Sequence, residues 1–234
     1  MQQHYIDDII NPNDYIILNN DILYHFNKVL RYKDNQEFYL LDKNSNKYLC
    51  KLINNKAKII KSITTNSELP IKVTIIQALL KNQNFDYLIQ KAIELGVYQI
   101  IPLYTNRTII KDNNKDKTIR YNKIALSSAN QCKRNMIPKV LEPININDIK
   151  NYKSSINLIA YEQPQINNLS IKEYINNQDI TIVIGPEGGF EQYEIDTLVK
   201  ENFNIVNFGD RILRSETSSL YFLSCVNILL EKKL

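Results

Sequence analysis

The sequence is short of glycine, tryptophan and histidine. Five glycines occur in 234 residues, where average usage of about 7% would give roughly 16. Tryptophan is absent, and the histidines are His4 and His25. The three cysteines, Cys50, Cys132 and Cys225, are far apart and form no CxxC pair. Such a set does not supply the roughly four suitably spaced ligands of a structural zinc site, so no metal is expected. The cysteines are expected to be buried thiols in a reducing compartment. No apolar run approaches the roughly 20 residues that span a bilayer. Residues Met1–Ile10, with Asp7 and Asp8, lack the basic-then-apolar layout of a secretory signal. These absences predict a cytoplasmic protein with no membrane partner.

Asparagine, isoleucine and lysine are used heavily instead, as a nucleotide bias against glycine codons would produce. Glycines kept under such pressure mark positions that other residues fill badly. They are Gly96, Gly185, Gly188, Gly189 and Gly209, and four of the five fall between positions 185 and 209. Charge is uneven as well. Residues 28–61 hold nine basic and three acidic side chains, residues 81–139 eleven and four, and residues 140–234 eight and thirteen. A basic front and an acidic back suit one face for nucleic acid, or else ordinary solvated surface.

The hydrophobic content of 44% is ample for a packed core. Residues 1–68 show short β-rich runs at 15–18, 37–41, 48–53 and 57–63, separated by Asn/Asp/Lys turns. Between the first two runs a helical pattern places Ile22, Leu23, Phe26, Val29 and Leu30 on one face. Strands plus one helix fit a small barrel, and the polar stretch 64–70 is the candidate linker. After Pro70 the pattern alternates. Strands are predicted at 73–79, 98–103, 156–161, 180–184 and 204–208. Helices are predicted at 86–95 (ending at Gly96), 117–132, 191–201 and 217–231. Alternating units predict a mostly parallel sheet covered on both faces.

Three constellations carry chemistry. Ile184-Gly-Pro-Glu-Gly-Gly-Phe190 follows an apolar strand and precedes a helix, the place where open α/β sheets bind ligands. It is neither a Walker A loop nor GxGxxG, and the bland alternative is a plain turn with Pro186 at a turn position. Phe208-Gly-Asp-Arg-Ile-Leu-Arg-Ser-Glu-Thr217 has the same setting, with Ser215 as a candidate N-cap. Its Arg211 and Arg214 suit an anionic group, or else salt bridges to Asp210 and Glu216. Lys91, Glu94, Arg107, Arg120, Gln131 and Arg134 form the third set. The helical members either contact RNA or pair with one another.

IGPEGGF followed by Glu194, and GDRILRSET about twenty residues later, resemble the cofactor-binding core of SPOUT methyltransferases. Together with KAIELGV, NRT, ANQCKRNMIP and the early HFNKVLR, they closely resemble the RsmE-type family, which methylates uridine N3 in 16S ribosomal RNA. The resemblance covers nearly the whole chain. Met1–His4 departs from the family by lacking an arginine, as do Phe208 (usually leucine) and Asn130 (usually glutamate). The resemblance implies an α/β SPOUT methyltransferase domain with a C-terminal trefoil knot over residues 69–234, preceded by a PUA-like β-barrel RNA-binding domain over 1–68. It implies a homodimer that uses S-adenosyl-L-methionine and acts on 16S ribosomal RNA or the small subunit.

The same resemblance places the cofactor against Tyr161, Glu162, Ile184, Gly185, Pro186, Glu187, Gly188, Gly189, Phe208, Gly209, Arg211, Ile212 and Leu213. From the chemistry of uracil, Arg214 or Arg211 would stabilise charge on the base, and Glu187 or Glu216 would accept its proton. His25, Lys28, Arg31, Arg107, Arg120, Gln131 and Arg134 would contact RNA. Lys33, Lys51 and Lys58 would add to the basic barrel surface, with Tyr24, Tyr32 and Tyr39 as stacking candidates. The alternatives are a SPOUT enzyme for ribose 2′-OH or another base, and a non-catalytic ribosome-assembly factor.

Overall fold

The computed structural model describes residues 1–11, 15–81, 83–108, 115–162 and 170–230. Two compact units form, one from residues 1–68 with 129–137 and the other from 69–128 with 138–234.

The first unit is built on a five-stranded sheet ordered β1-β3-β4-β5-β2, with β1 at Gln3–Tyr5, β2 at Tyr15–Ile17, β3 at Glu37–Leu41, β4 at Lys47–Ile53 and β5 at Lys56–Ile63. Strand alternation decides its faces. Phe38, Leu40, Tyr48, Cys50, Leu52 and Ala57 point to one side and form the core with Ile22 and Phe26. The helix supplying those two begins as α1, Asn20–Tyr24, where the Asn19 side chain accepts the Ile22 N–H at 2.9 Å. It continues as a π-helical turn over His25–Leu30 and stops at Arg31, which has φ 51°. The wider turn corrects one expectation. Val29 rotates out of the predicted apolar face and is 59% exposed. β1 was not legible in the sequence; it pairs in parallel with β3.

Residues 129–137 pack against the β1 edge of the sheet. The Gln3 amide donates to the Arg134 carbonyl at 2.7 Å, and the Tyr5 hydroxyl donates to the same oxygen at 2.5 Å. The Arg134 guanidinium is buried and ion-paired with Glu68.

The second unit is an entirely parallel sheet. Its strands are β6 (Val73–Ala78), β7 (Gln99–Tyr104), β8 (Lys139–Val140), β9 (Ile144–Asn145), β10 (Ile156–Ala160), β11 (Ile180–Ile184) and β12 (Asn204–Val206). The order is β12-β10-β11-β6-β7-β8, with β9 also on β7. β6 and β11 are buried at every position, as strands covered on both faces must be. The helices are α2 (Asn84–Glu94), α3 (Lys115–Gln131), α4 (Ile171–Tyr174), α5 (Gln192–Lys200) and α6 (Ser215–Leu230). Gly96, at φ +89°, ends the turn after α2, where the Val97 N–H returns to the Ala92 carbonyl. Glu231, the expected end of the last helix, lies outside the described residues.

The cysteines need correction. Cys50 is buried, and that burial pushes its thiol up to about 12. Cys132, just beyond the end of α3, and Cys225 on the outer side of α6 are only half-buried.

Candidate active site

Strands β12, β10 and β11 are neighbours, and their register aligns Ala160 with both Ile184 and Val206. Three loops therefore leave the carboxyl edge of the sheet at one level, starting at Tyr161, Gly185 and Asn207. The second loop turns tightly, with the Gly189 N–H donating to the Pro186 carbonyl at 2.9 Å. In the third, Asn207 Oδ1 accepts the Gly209 N–H at 2.6 Å, and its Nδ2 donates to the Glu162 carbonyl at 3.1 Å. Gly209 sits at φ +98°, where an L side chain would be strained.

Polar groups beneath the loops set their spacing. Gln77, fully buried in β6, donates through Nε2 to Ser215 Oγ at 2.8 Å. That hydroxyl donates to the Gly185 carbonyl, and Ser219 Oγ donates to Gln77 Oε1 at 2.5 Å. The second loop is thus tied to the first turn of α6 by Ser215, and Gln77 holds that turn to β6. Ser215 is the first residue of α6, and its hydroxyl is committed to Gly185. The Arg214 carbonyl receives the Ser218 N–H at 2.9 Å.

A second anchor is Glu194, 1% exposed. Its Oε1 accepts the Asn106 N–H at 2.9 Å and its Oε2 accepts the Glu191 N–H at 2.8 Å. One carboxylate therefore joins the loop after β7 to the start of α5. Arg107 completes the joint, donating from Nε to Glu191 at 2.9 Å and from Nη1 to the Gly188 carbonyl at 2.5 Å. This pairing holds the Glu191 carboxyl below its usual range. A Cβ on Gly188 would lie 3.4 Å from Arg107 Cδ, so glycine lets the arginine cross the loop closely.

The loops enclose a cavity of about 700 Å³, within the roughly 300–1,000 Å³ of small-molecule sites. Its walls run from apolar Ile184, Val206 and Leu213 to charged Arg107, Glu187 and Arg211. The RNA methyltransferase domain family matches residues 67–227. Over 219 residues the chain is 39% identical to the ribosomal RNA small subunit methyltransferase E of Mesomycoplasma hyopneumoniae, covering 90% of this chain and 93% of that one. The Bacillus subtilis protein of the same name is 33% identical, over 72% of this chain and 70% of its own.

This chain belongs to the ribosomal RNA small subunit methyltransferase E family. Among solved members, the Neisseria gonorrhoeae methyltransferase E bound to S-adenosyl methionine superposes with a TM-score of 0.88 at 27% identity, over 98% of each chain. A Legionella pneumophila structure in complex with the same cofactor gives 0.86 at 26%, over 97% of this chain and 96% of that one.

With the methyltransferase E family as the frame, the predicted residues separate. The thirteen expected around the cofactor all stand on the walls of this one cavity. Of the four expected catalytic groups, Glu187 and Arg211 line it. Arg214 and Glu216 are not among its lining residues, although Ser215 between them is. Glu216 is buried, with Oε1 accepting from Asn84 at 3.4 Å and Oε2 without a hydrogen-bond partner. The expected alternative of salt bridges from the arginines to Asp210 and Glu216 is not realised among the described residues.

The RNA set is scattered. Lys28, Arg31 and Gln131 are exposed, and His25 is half-buried with its ring 5.4 Å from His4. Arg120 is ion-paired with Asp86, and Arg107 belongs to the cavity wall. Arg134 is withdrawn from the set, because its charge is buried against Glu68. Lys91 pairs with Glu94 on α2 at 2.8 Å, so pairing is the realised alternative there. Tyr24 is exposed, Tyr32 stacks on Phe26 at 4.8 Å, and Tyr39 lies under the Lys47 ammonium. Gln77 matches no sequence motif, yet it organises the polar network beneath the loops. A lone amide inside the buried run VTIIQA was its available signal.

Proposed function

We propose that the chain binds S-adenosyl-L-methionine in this cavity and methylates N3 of a specific uridine in 16S ribosomal RNA, in the cytoplasm, as a homodimer. The observation that carries the reading is the cavity itself, framed by three loops at one level of a parallel sheet in a member of this family. We assign the unit of residues 1–68 and 129–137 as the PUA-like RNA-binding barrel, and the carboxyl-terminal strands and loops as the trefoil knot. α6 supports the dimer by leaving Tyr221, Ile228 and Leu229 exposed on one side, at spacings that share a helix face.

The cavity fits the cofactor in size, in its mixed polar and apolar lining, and in the glycine backbone at Gly188 and Gly209. Tyr161, Gly185–Gly189 and Phe208–Leu213 would hold it. When bound, its sulfonium supplies a methyl group already activated towards a nucleophile. The protein's own task is to make uracil N3 such a nucleophile, since the neutral base has no free lone pair there. Glu187 lines the cavity, is exposed, and takes the N3 proton. Arg211, exposed beside it and free of any ion pair among the described residues, stabilises the negative charge that moves onto the uracil oxygens. Its position on the wall makes it the arginine of choice over Arg214. The target base leaves its stack to present its Watson–Crick edge.

Calorimetry with S-adenosyl-L-methionine tests the reading. Wild type should bind, and Gly188→Val should lose binding as its side chain displaces Arg107. Methylated 16S RNA digested to nucleosides should then yield 3-methyluridine. A 2′-O-methyl nucleoside would move the reading to ribose chemistry, and no cofactor binding by folded wild type would overturn it in favour of an assembly factor.

A further inference from the structure

The core of the first unit uses one face of its five-stranded sheet. The opposite face, by the same register, carries Tyr39 of β3, Lys47 and Lys51 of β4, and Lys58 and Lys61 of β5. The one carboxylate on the five strands is Glu37, 3.6 Å from Lys51. Lys47 is unusual within this set. It is 7% exposed, its Nζ lies 4.7 Å above the Tyr39 ring, and it has no acidic partner among the described residues. Burial disfavours the charged form of Lys47, and Lys133, from the segment whose Arg134 carbonyl meets Gln3 and Tyr5 on β1, adds a like charge in the same direction. A lysine with a buried stem, set on an aromatic ring beside a second cation, is costly unless an anion arrives.

We propose that this outer sheet face is an RNA-binding surface, with Lys47, Tyr39 and Lys133 forming a fixed phosphate subsite and Lys61, Lys58 and Lys51 continuing the track. The assignment rests on the ribosomal RNA reading above and goes beyond it in naming the face. It differs from the helix side of the unit, where Lys28 and Arg31 lie. The occupant is a strand of RNA because the face offers a row of cations with almost no counter-charge. Phosphates spaced along a backbone match such a row.

The test is fluorescence anisotropy of the full chain with a labelled single-stranded 16S RNA fragment, repeated across salt concentrations. Lys47→Met keeps the stem and removes the charge; Lys133→Ala and Lys61→Ala remove exposed charges. Each should weaken binding about fivefold or more and flatten the salt dependence by about 0.7 per lost phosphate contact. A double control, Lys150→Ala with Lys172→Ala, should leave both unchanged. Wild-type affinity and salt slope in all three variants would overturn the proposal while leaving the enzyme reading intact, as would an equal loss in the control. If wild type binds the cofactor but no RNA, the ribosomal RNA reading fails and this surface with it. If Lys47→Met does not fold, as judged by melting, the two exposed variants decide.

Discussion

Glu194 carries more of the site than its charge suggests. It is buried, sits near the Arg107 charge, and satisfies two backbone N–H groups from different loops. Glu194→Gln should keep one of these bonds and turn an amide N–H₂ against the other donor. An orphaned buried donor costs about 1–3 kcal/mol. The melting temperature should fall, and cofactor affinity should fall with it, because both loops border the cavity; unchanged calorimetry would separate Glu194 from the site. His4 makes a different kind of prediction. Burial, helped by His25, pushes its imidazole down from 6.5 to about 4, and its Nε2 has no hydrogen-bond partner. The folded state therefore prefers the neutral form. The stability this confers is whole above pH 6.5 and is lost as pH falls from there towards 4, to a limit of about 3 kcal/mol. His4→Phe, which preserves the edge contact with Phe26, should flatten the drop in urea midpoint between pH 7 and pH 5. An identical drop in both proteins would rule the histidine out as its source.

α6 holds the site from below and is apolar almost all round. Phe222, Leu223 and Val226 face the core, while Tyr221, Ile228 and Leu229 face solvent. Ile228→Asp should leave the fold unchanged and, if the proposed homodimer forms through this side, shift sedimentation towards the monomer; an unchanged sedimentation coefficient would count against this side as the contact. The elements also show how far a sequence carries. The parallel sheet was legible because β6, β10 and β11 are mostly apolar on both faces, broken by only one or two polar residues each, a property of the strand itself. The loops that frame the cavity were legible because glycines are rare here and cluster after strands. The rest was hidden for physical reasons: β1 is only three residues long, and the long-range partners of Gln77, Glu194 and Arg107 lie 81 to 142 positions away, so no local pattern shows the roles these three play. Arg134 misled for the same reason: its partner Glu68 is 66 residues distant.

At the scale of the whole molecule, the first unit is discontinuous in sequence. It takes its last stretch, residues 129–137, from the end of α3 and the segment after it. There the Arg134 carbonyl meets Gln3 and Tyr5 while its guanidinium meets Glu68. A fragment ending at residue 68 should consequently lack cooperative unfolding by circular dichroism, and a sharp transition in that fragment would show that the segment is dispensable. The same arrangement puts a clock on synthesis. When Glu68 leaves the ribosome, its arginine is still 66 codons away, and at about 5–20 residues per second the wait lasts several seconds. During that interval the nascent chain exposes an unfinished basic sheet beside the polyanion that makes it.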